Sequence, residues 1–266
     1  MMPNFLFMKI KNILFDIMIA SNKFFIILSV FSLLGFSSLI AQTYDDCLWT
    51  GVSTDLPITK RIDLSLEHET RLAQGMEIVD WHISDIGLSY KFNKDFRISS
   101  SYNYRSVKDK WQHVFNGNFH YDNKFWKIRY SYRFRYQEKH KYKFEWNNEG
   151  IKRIENGYES YFRNRIMFEY DTDMWLTPFI GFELYYLIGH YDYPQKIKVQ
   201  GPDKIYINRY SDRFNCLRLY LGTDIEITKN QKLTIYYMSE HEFNISEPKT
   251  SNVLGLFYHF DLPKLF

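Results

Sequence analysis

The chain has 266 residues, 45% of them hydrophobic and 19% aromatic, with a formal net charge of +3. So even a charge balance gives no case for nucleic-acid binding, and two cysteines, Cys47 and Cys216, are too few for a disulfide framework and match no metal spacing, which leaves a single bridge open. Tyr and Phe, 22 and 23 in number against 12 Gly and 7 Pro, suit strands and membrane interfaces better than a helical bundle.

The N-terminus reads as an export signal. Lys23 precedes the apolar run Phe24 to Leu34, then Gly35, Ser37 and Ser38, and a cut after Ala41 leaves Gln42 as the mature start. A retained anchor is the alternative, because Phe24 to Ile40 comes near the ~20 apolar residues of a spanning helix. Residues 1–17 read as an upstream start-codon extension, so residues 1–41 are expected to be the signal and 42–266 a single domain.

Downstream, two-residue periodicity predicts strands over 49–56, 61–72, 81–92, 96–105, 111–121, 125–137, 158–170, 175–187, 213–226, 232–242 and 251–262. In the clearest of them Trp126, Ile128, Tyr130, Tyr132, Phe134 and Tyr136 fall on one parity and Lys127, Arg129, Ser131, Arg133 and Arg135 on the other. Successive strand side chains point to opposite faces, so one face is apolar and the other polar. These segments exceed the usual strand of about 5 to 6 residues and match the ~9 to 11 needed to cross a bilayer.

Connections of two lengths alternate. Short turns are predicted at 57–60, 93–95, 122–124, 171–174 and 228–231, with longer loops at 73–80, 106–110, 138–157, 188–212 and 243–250. That asymmetry is the one expected of outer-membrane barrels, with short periplasmic turns and longer external loops. Single-chain bacterial barrels have even strand numbers, so eleven segments imply a discrepancy at one end. Either 49–56 lies outside the wall, giving ten strands, or a further strand hides within 43–50, giving twelve.

Volume decides which face meets oil. The apolar parity carries Leu64 and Leu66, Ile86 and Leu88, Phe115 and Phe119, Ile166 and Phe168, Leu219 and Leu221, and Leu254 and Leu256. Several dozen such side chains would overfill a small barrel, so they point outward. Reversing the strand at 125–137 would turn Lys127, Arg129, Arg133 and Arg135 toward lipid, at about 2 to 4 kcal/mol each near the midplane. The expected fold is all-β, an antiparallel transmembrane barrel of about ten to twelve strands.

The mature chain resembles the Bacteroidetes outer-membrane barrel family catalogued as domain of unknown function 2490. The resemblance rests on Leu48-Trp49-Thr50-Gly51-Val52, Glu67 to Arg71, Gly87-Leu88-Ser89-Tyr90, Arg129 to Tyr136, Arg163-Asn164-Arg165, Pro178 to Glu183 and Asn252 to Tyr258. It implies an outer-membrane location and no established activity.

The polar parity is charged, and its charges segregate along the sequence. Lys91, Arg97, Arg105, Lys127, Arg129, Arg133, Arg135, Arg163 and Arg165 come from consecutive strands, whereas Asp63, Glu67, Glu69, Glu183, Asp224, Glu226, Glu240 and Glu242 come from the remainder. A basic wall is therefore expected to face an acidic wall across the lumen. Such a lumen is either a plugged scaffold, its charges paired across the interior, or a narrow polar conduit whose field orients dipolar solutes.

Two other classes stay open. Basic and aromatic residues interleave in 138–157 and 188–212, as in a surface that binds lipopolysaccharide or another surface ligand. His82 and Ser84 share one face of their strand and recommend a lipid hydrolase only weakly, since neither a G-x-S-x-G elbow nor an H-E-x-x-H helix is present. His120 and His259 belong to the lumenal parity. The expectation is a non-enzymatic, porin-like monomer without a cofactor, partnered by outer-membrane lipid, lipopolysaccharide and, during biogenesis, the barrel-assembly machinery.

Overall fold

The computed structural model describes residues 43–146, 152–172, 174–191, 195–197, 204–206, 209–210, 212–245 and 248–263, so the export signal expected over 1–41 lies outside the described residues. Among these residues every regular element is a strand. The first eight are β1 (Thr43–Pro57), β2 (Ile62–Ala73), β3 (Ile78–Lys91), β4 (Phe96–Val107), β5 (Lys110–Phe125), β6 (Ile128–Trp146), β7 (Lys152–Tyr170) and β8 (Leu176–Tyr191). Each pairs antiparallel with the next. Three short strands follow, β9 (Gln195–Ile197), β10 (Lys204–Tyr206) and β11 (Arg209–Tyr210), of which only β11 touches the wall. The wall resumes with β12 (Arg213–Thr228), which pairs back onto β8, and continues through β13 (Gln231–Glu242) and β14 (Lys249–Asp261).

The sheet closes between its first and last strands. β1 pairs with β14 in parallel from Thr43 opposite Lys249 to Asp55 opposite Asp261. Eleven full-length strands form the wall, and the twelfth member of the sheet is the two-residue β11 at the end of β8. An odd number of up-and-down strands leaves the first and last pointing the same way, so the ladder closes in parallel. The even-number rule therefore does not govern this chain, and residues 49–56 lie in the wall. A parallel pair is slightly weaker per residue, but closure removes both exposed edges. This seam is directly testable. Val52→Cys combined with Tyr258→Cys, which replaces register partners, should cross-link on oxidation and shift migration in a denaturing gel. Val52→Cys with Leu254→Cys should not.

Several predicted boundaries move. The turn expected at 122–124 lies instead at Trp126 and Lys127, where Trp126 adopts a left-handed φ of 55°. The longer connections expected at 73–80 and 106–110 shrink to the gaps between β2 and β3 and between β4 and β5, so they are as tight as the turns at the other end. The loop expected over 138–157 is mostly strand, because β6 and β7 each run for 19 residues. At ~3.3 Å per residue this hairpin is about 60 Å long, more than a bilayer requires, and it extends the wall at that end.

The two faces separate as the periodicity demands. Large apolar side chains are exposed on the outside of every wall strand, among them Val52, Leu66, Leu88, Ile98, Phe115, Tyr136, Phe168, Phe182, Phe214, Tyr237 and Leu254. An apolar surface that encircles a molecule far exceeds the isolated patches of soluble monomers. Both cysteines are free and buried, so the possible bridge is not formed.

Candidate functional site

The lumen holds a cavity of about 590 Å³ lined by side chains from all eleven wall strands. That volume falls within the range of small-molecule sites. Nine cationic and six anionic side chains line it, so its wall carries an excess of positive charge.

Register explains how these charges are arranged. Glu240, Arg218, Glu183, Arg165, Arg133, His120, Arg97 and Lys91 follow one another as direct cross-strand partners from β13 to β3. A second row places Tyr185 opposite Arg163, then Arg135, Asn118 and Ser99. The two rows juxtapose Arg133 with Arg165 and Arg135 with Arg163. Like charges directly opposite are destabilising, so four guanidinium groups on two strands need a counter-charge.

Glu183 supplies part of it. This fully buried carboxylate accepts from Arg133 at 2.6 Å, from Arg163 at 2.9 and 3.2 Å and from Tyr220 at 3.1 Å, and Arg218 lies 3.9 Å away. A chain of hydrogen bonds then runs along the wall. Arg163 donates to Gln137 (3.3 Å), Gln137 to Asn116 (2.8 Å), Asn116 to Asn103 (3.3 Å) and Ser101 (3.1 Å), and Ser101 to Asp85 (3.2 Å). It links six neighbouring strands, from β8 to β3.

The ion pairs also run along the wall. Asp63 pairs with Lys91, Glu69 with Arg71, Glu159 with Lys139 and Lys141, Glu169 with Arg129, Asp224 with Lys232 and Glu240 with Arg218, each within one strand or between neighbours. The cross-lumen pairing of a plug is therefore not how these charges are satisfied. Arg97, Arg105, Arg135 and Arg165 have no carboxylate at ion-pair distance among the described residues, and the Nε atoms of Arg97, Arg105 and Arg133 are buried without an acceptor. Glu67 and Asp85 face each other in register and likewise lack an ion-pair partner.

The opposed basic and acidic walls are corrected in three respects. Lys127 sits in the turn between β5 and β6 and Glu226 is exposed near the end of β12, so neither lines the cavity. Glu183 belongs to the arginine rows as their counter-ion. Arg71, Arg218 and Lys232, not assigned to a wall from the sequence, pair with Glu69, Glu240 and Asp224 in the half expected to be acidic.

What that half presents instead is aromatic. One register row reads Phe179, Gly222, Tyr236, Gly255 and Trp49 across β8, β12, β13, β14 and β1, and Phe257 sits opposite Gly51 beside it. A Cβ placed on Gly222 would come within 2.6 Å of Phe179, on Gly255 within 2.1 Å of the Tyr236 ring and on Gly51 within 2.5 Å of Phe257. Each glycine thus leaves space in which a neighbouring ring lies against the backbone. Trp49 is capped by Arg71, whose guanidinium carbon is 3.7 Å from the ring centre.

The remaining candidates are placed elsewhere. Ser84 bonds to His68 (3.1 Å) and His82 to Thr70 (3.2 Å), all four in the exposed band, and no carboxylate bonds either ring among the described residues. His259 bonds Ser53 (2.9 Å) and Asp261 (3.0 Å), with Asp55 at 4.0 Å, where the seam strands end. Of the aromatic and basic residues in 138–157, Lys139 and Lys141 turn inward onto Glu159, and most of 192–211 lies outside the described residues.

Comparison with known proteins adds little chemistry. The family described as protein of unknown function (DUF2490) matches residues 47–252. No curated protein matches. Among solved structures, a NanC porin in a rhombohedral crystal form is similar at 10% identity, covering 77% of this chain and 94% of that one with a TM-score of 0.39.

Proposed function

We propose, from the premise that this chain belongs to the DUF2490 family, that it is a non-enzymatic outer-membrane barrel whose lumen forms a narrow conduit for small polar solutes. The observation that carries this reading is the cavity of about 590 Å³, lined by side chains from every wall strand and by charged groups from eight of the eleven, while its ion pairs lie along the wall. Side chains paired in this way hold the wall rigid without filling its centre. The outward apolar band supports lipid as the surrounding medium, since burying it against water-soluble partners would require covering the full circumference. Outer-membrane lipid and lipopolysaccharide are then its surroundings, and a closed ladder lets one copy stand alone.

Rings of fixed charge tune ion selectivity in pores. Mature protein refolded into a planar bilayer should show discrete conductance in potassium chloride, with a reversal potential under a salt gradient that indicates chloride preference. Arg165→Glu combined with Arg135→Glu should move that potential toward potassium. A folded barrel that passes no current would overturn the conduit reading.

A further inference from the structure

We infer that the lumen binds an organic anion with a flat apolar face, held between the carboxylate-free arginines of β4, β6 and β7 and the ring platform of β8, β13 and β14. The inference rests on the conduit reading, since this site lies within the same cavity.

Two independent features converge on that chemistry. Arg105, Arg135 and Arg165 line the cavity without a carboxylate partner among the described residues, Arg135 also donating to Asn118, and Arg135 and Arg165 sit directly opposite further arginines. A wall that served only as a scaffold would gain from replacing such groups, because unrelieved like charges cost stability. Arg165 makes no hydrogen bond to the wall among the described residues, so none of them consumes its donors. A planar guanidinium presents paired donors that match a carboxylate or phosphate group.

The second feature is the alternation of rings and glycines on the complementary arc. Phe179, Tyr236 and Phe257 line the same cavity, each beside a glycine of a neighbouring strand that leaves room for the ring at the wall. Rings laid against a wall offer their faces to whatever occupies the interior. Arg71 covers Trp49, whereas no cation covers Phe179, Tyr236 or Phe257 among the described residues. An inorganic anion would use the arginines and ignore the platform. A sugar acid or an aryl carboxylate uses both.

The test titrates the refolded mature protein by calorimetry with galacturonate, benzoate, galactose and inorganic phosphate, with single-channel current recorded in parallel. Galacturonate or benzoate should bind and interrupt the current, and the tighter of the two assigns a saccharide or an aryl ligand. Galactose, which lacks the charge, and phosphate, which lacks the face, should each bind at least about tenfold more weakly. Arg165→Gln should weaken binding about tenfold while leaving the barrel at least as resistant to unfolding as before, and Phe257→Leu should weaken it without changing affinity for phosphate. Conductance with no binding of either organic anion overturns this inference and leaves the conduit standing. Binding without conductance overturns the conduit and retains the site. Phosphate binding as tightly as galacturonate overturns the role of the rings.

Discussion

Gly222→Val is expected to prevent assembly of the barrel, and Gly222→Ala to cost about 1 to 3 kcal/mol of stability. A Cβ at this position meets the carbonyl oxygen of Ile235, the Cβ of Tyr236 and the ring of Phe179, all at 2.6 Å. Two of these three atoms belong to the fixed part of the neighbouring strand, so rotation of a flexible side chain cannot relieve the contact. Gly117 is the internal control. It lies in the same sheet, but a Cβ there meets nothing within 4 Å. Gly117→Ala should therefore stabilise by about 0.5 to 1 kcal/mol, since alanine loses less conformational freedom than glycine in a strand. Urea titration of the lipid-embedded protein, read by the altered gel migration of folded barrels, measures both effects. If the two alanine variants unfold at the same urea concentration, the glycines are not making room for rings.

Periodicity made the wall legible residue by residue, because inward and outward parity follow from alternation alone. Register was not legible, and the site depends on it. The sequence shows Arg133, Arg163 and Glu183 as members of separate runs, but only the offsets between β6, β7 and β8 place the two arginines on one carboxylate. The same offsets align Gly222 with Phe179 and Tyr236, a relation no local pattern contains. A signal did exist for the aromatic arc: Gly51, Gly222 and Gly255 all fall on the inward parity. Glycine weakens a strand unless something approaches its backbone closely, so these inward glycines point to groups lying against them. The misplaced turn has a simpler origin. Asp122, Asn123 and Lys124 have turn chemistry, yet they remain in β5, while Trp126 takes the left-handed conformation that favours glycine or asparagine. Pairing of β6 along the full length of β5 outweighs that local cost of about 1 to 2 kcal/mol.

Glu183→Gln should destabilise the barrel by about 3 kcal/mol, the lower end of what removing one partner from a buried ion pair costs. The lower end applies because the arginines it releases line a cavity wide enough for water. The glutamine keeps the shape and one acceptor but removes the only carboxylate bonded to Arg133 and Arg163 among the described residues, leaving four guanidinium groups face to face on β6 and β7. Two further measurements separate this electrostatic account from simple loss of packing. Adding Arg163→Met should recover part of the loss, because the second change removes a charge that the first left uncompensated, so the double-mutant cycle is strongly non-additive. Millimolar sulfate should also raise the urea midpoint of Glu183→Gln more than that of the unmodified protein, by supplying from the adjoining cavity the negative charge that the arginines have lost. If the two changes simply add, or if sulfate stabilises both proteins equally, Glu183 is holding its neighbours in place by shape and the charge of the arginine rows is balanced elsewhere.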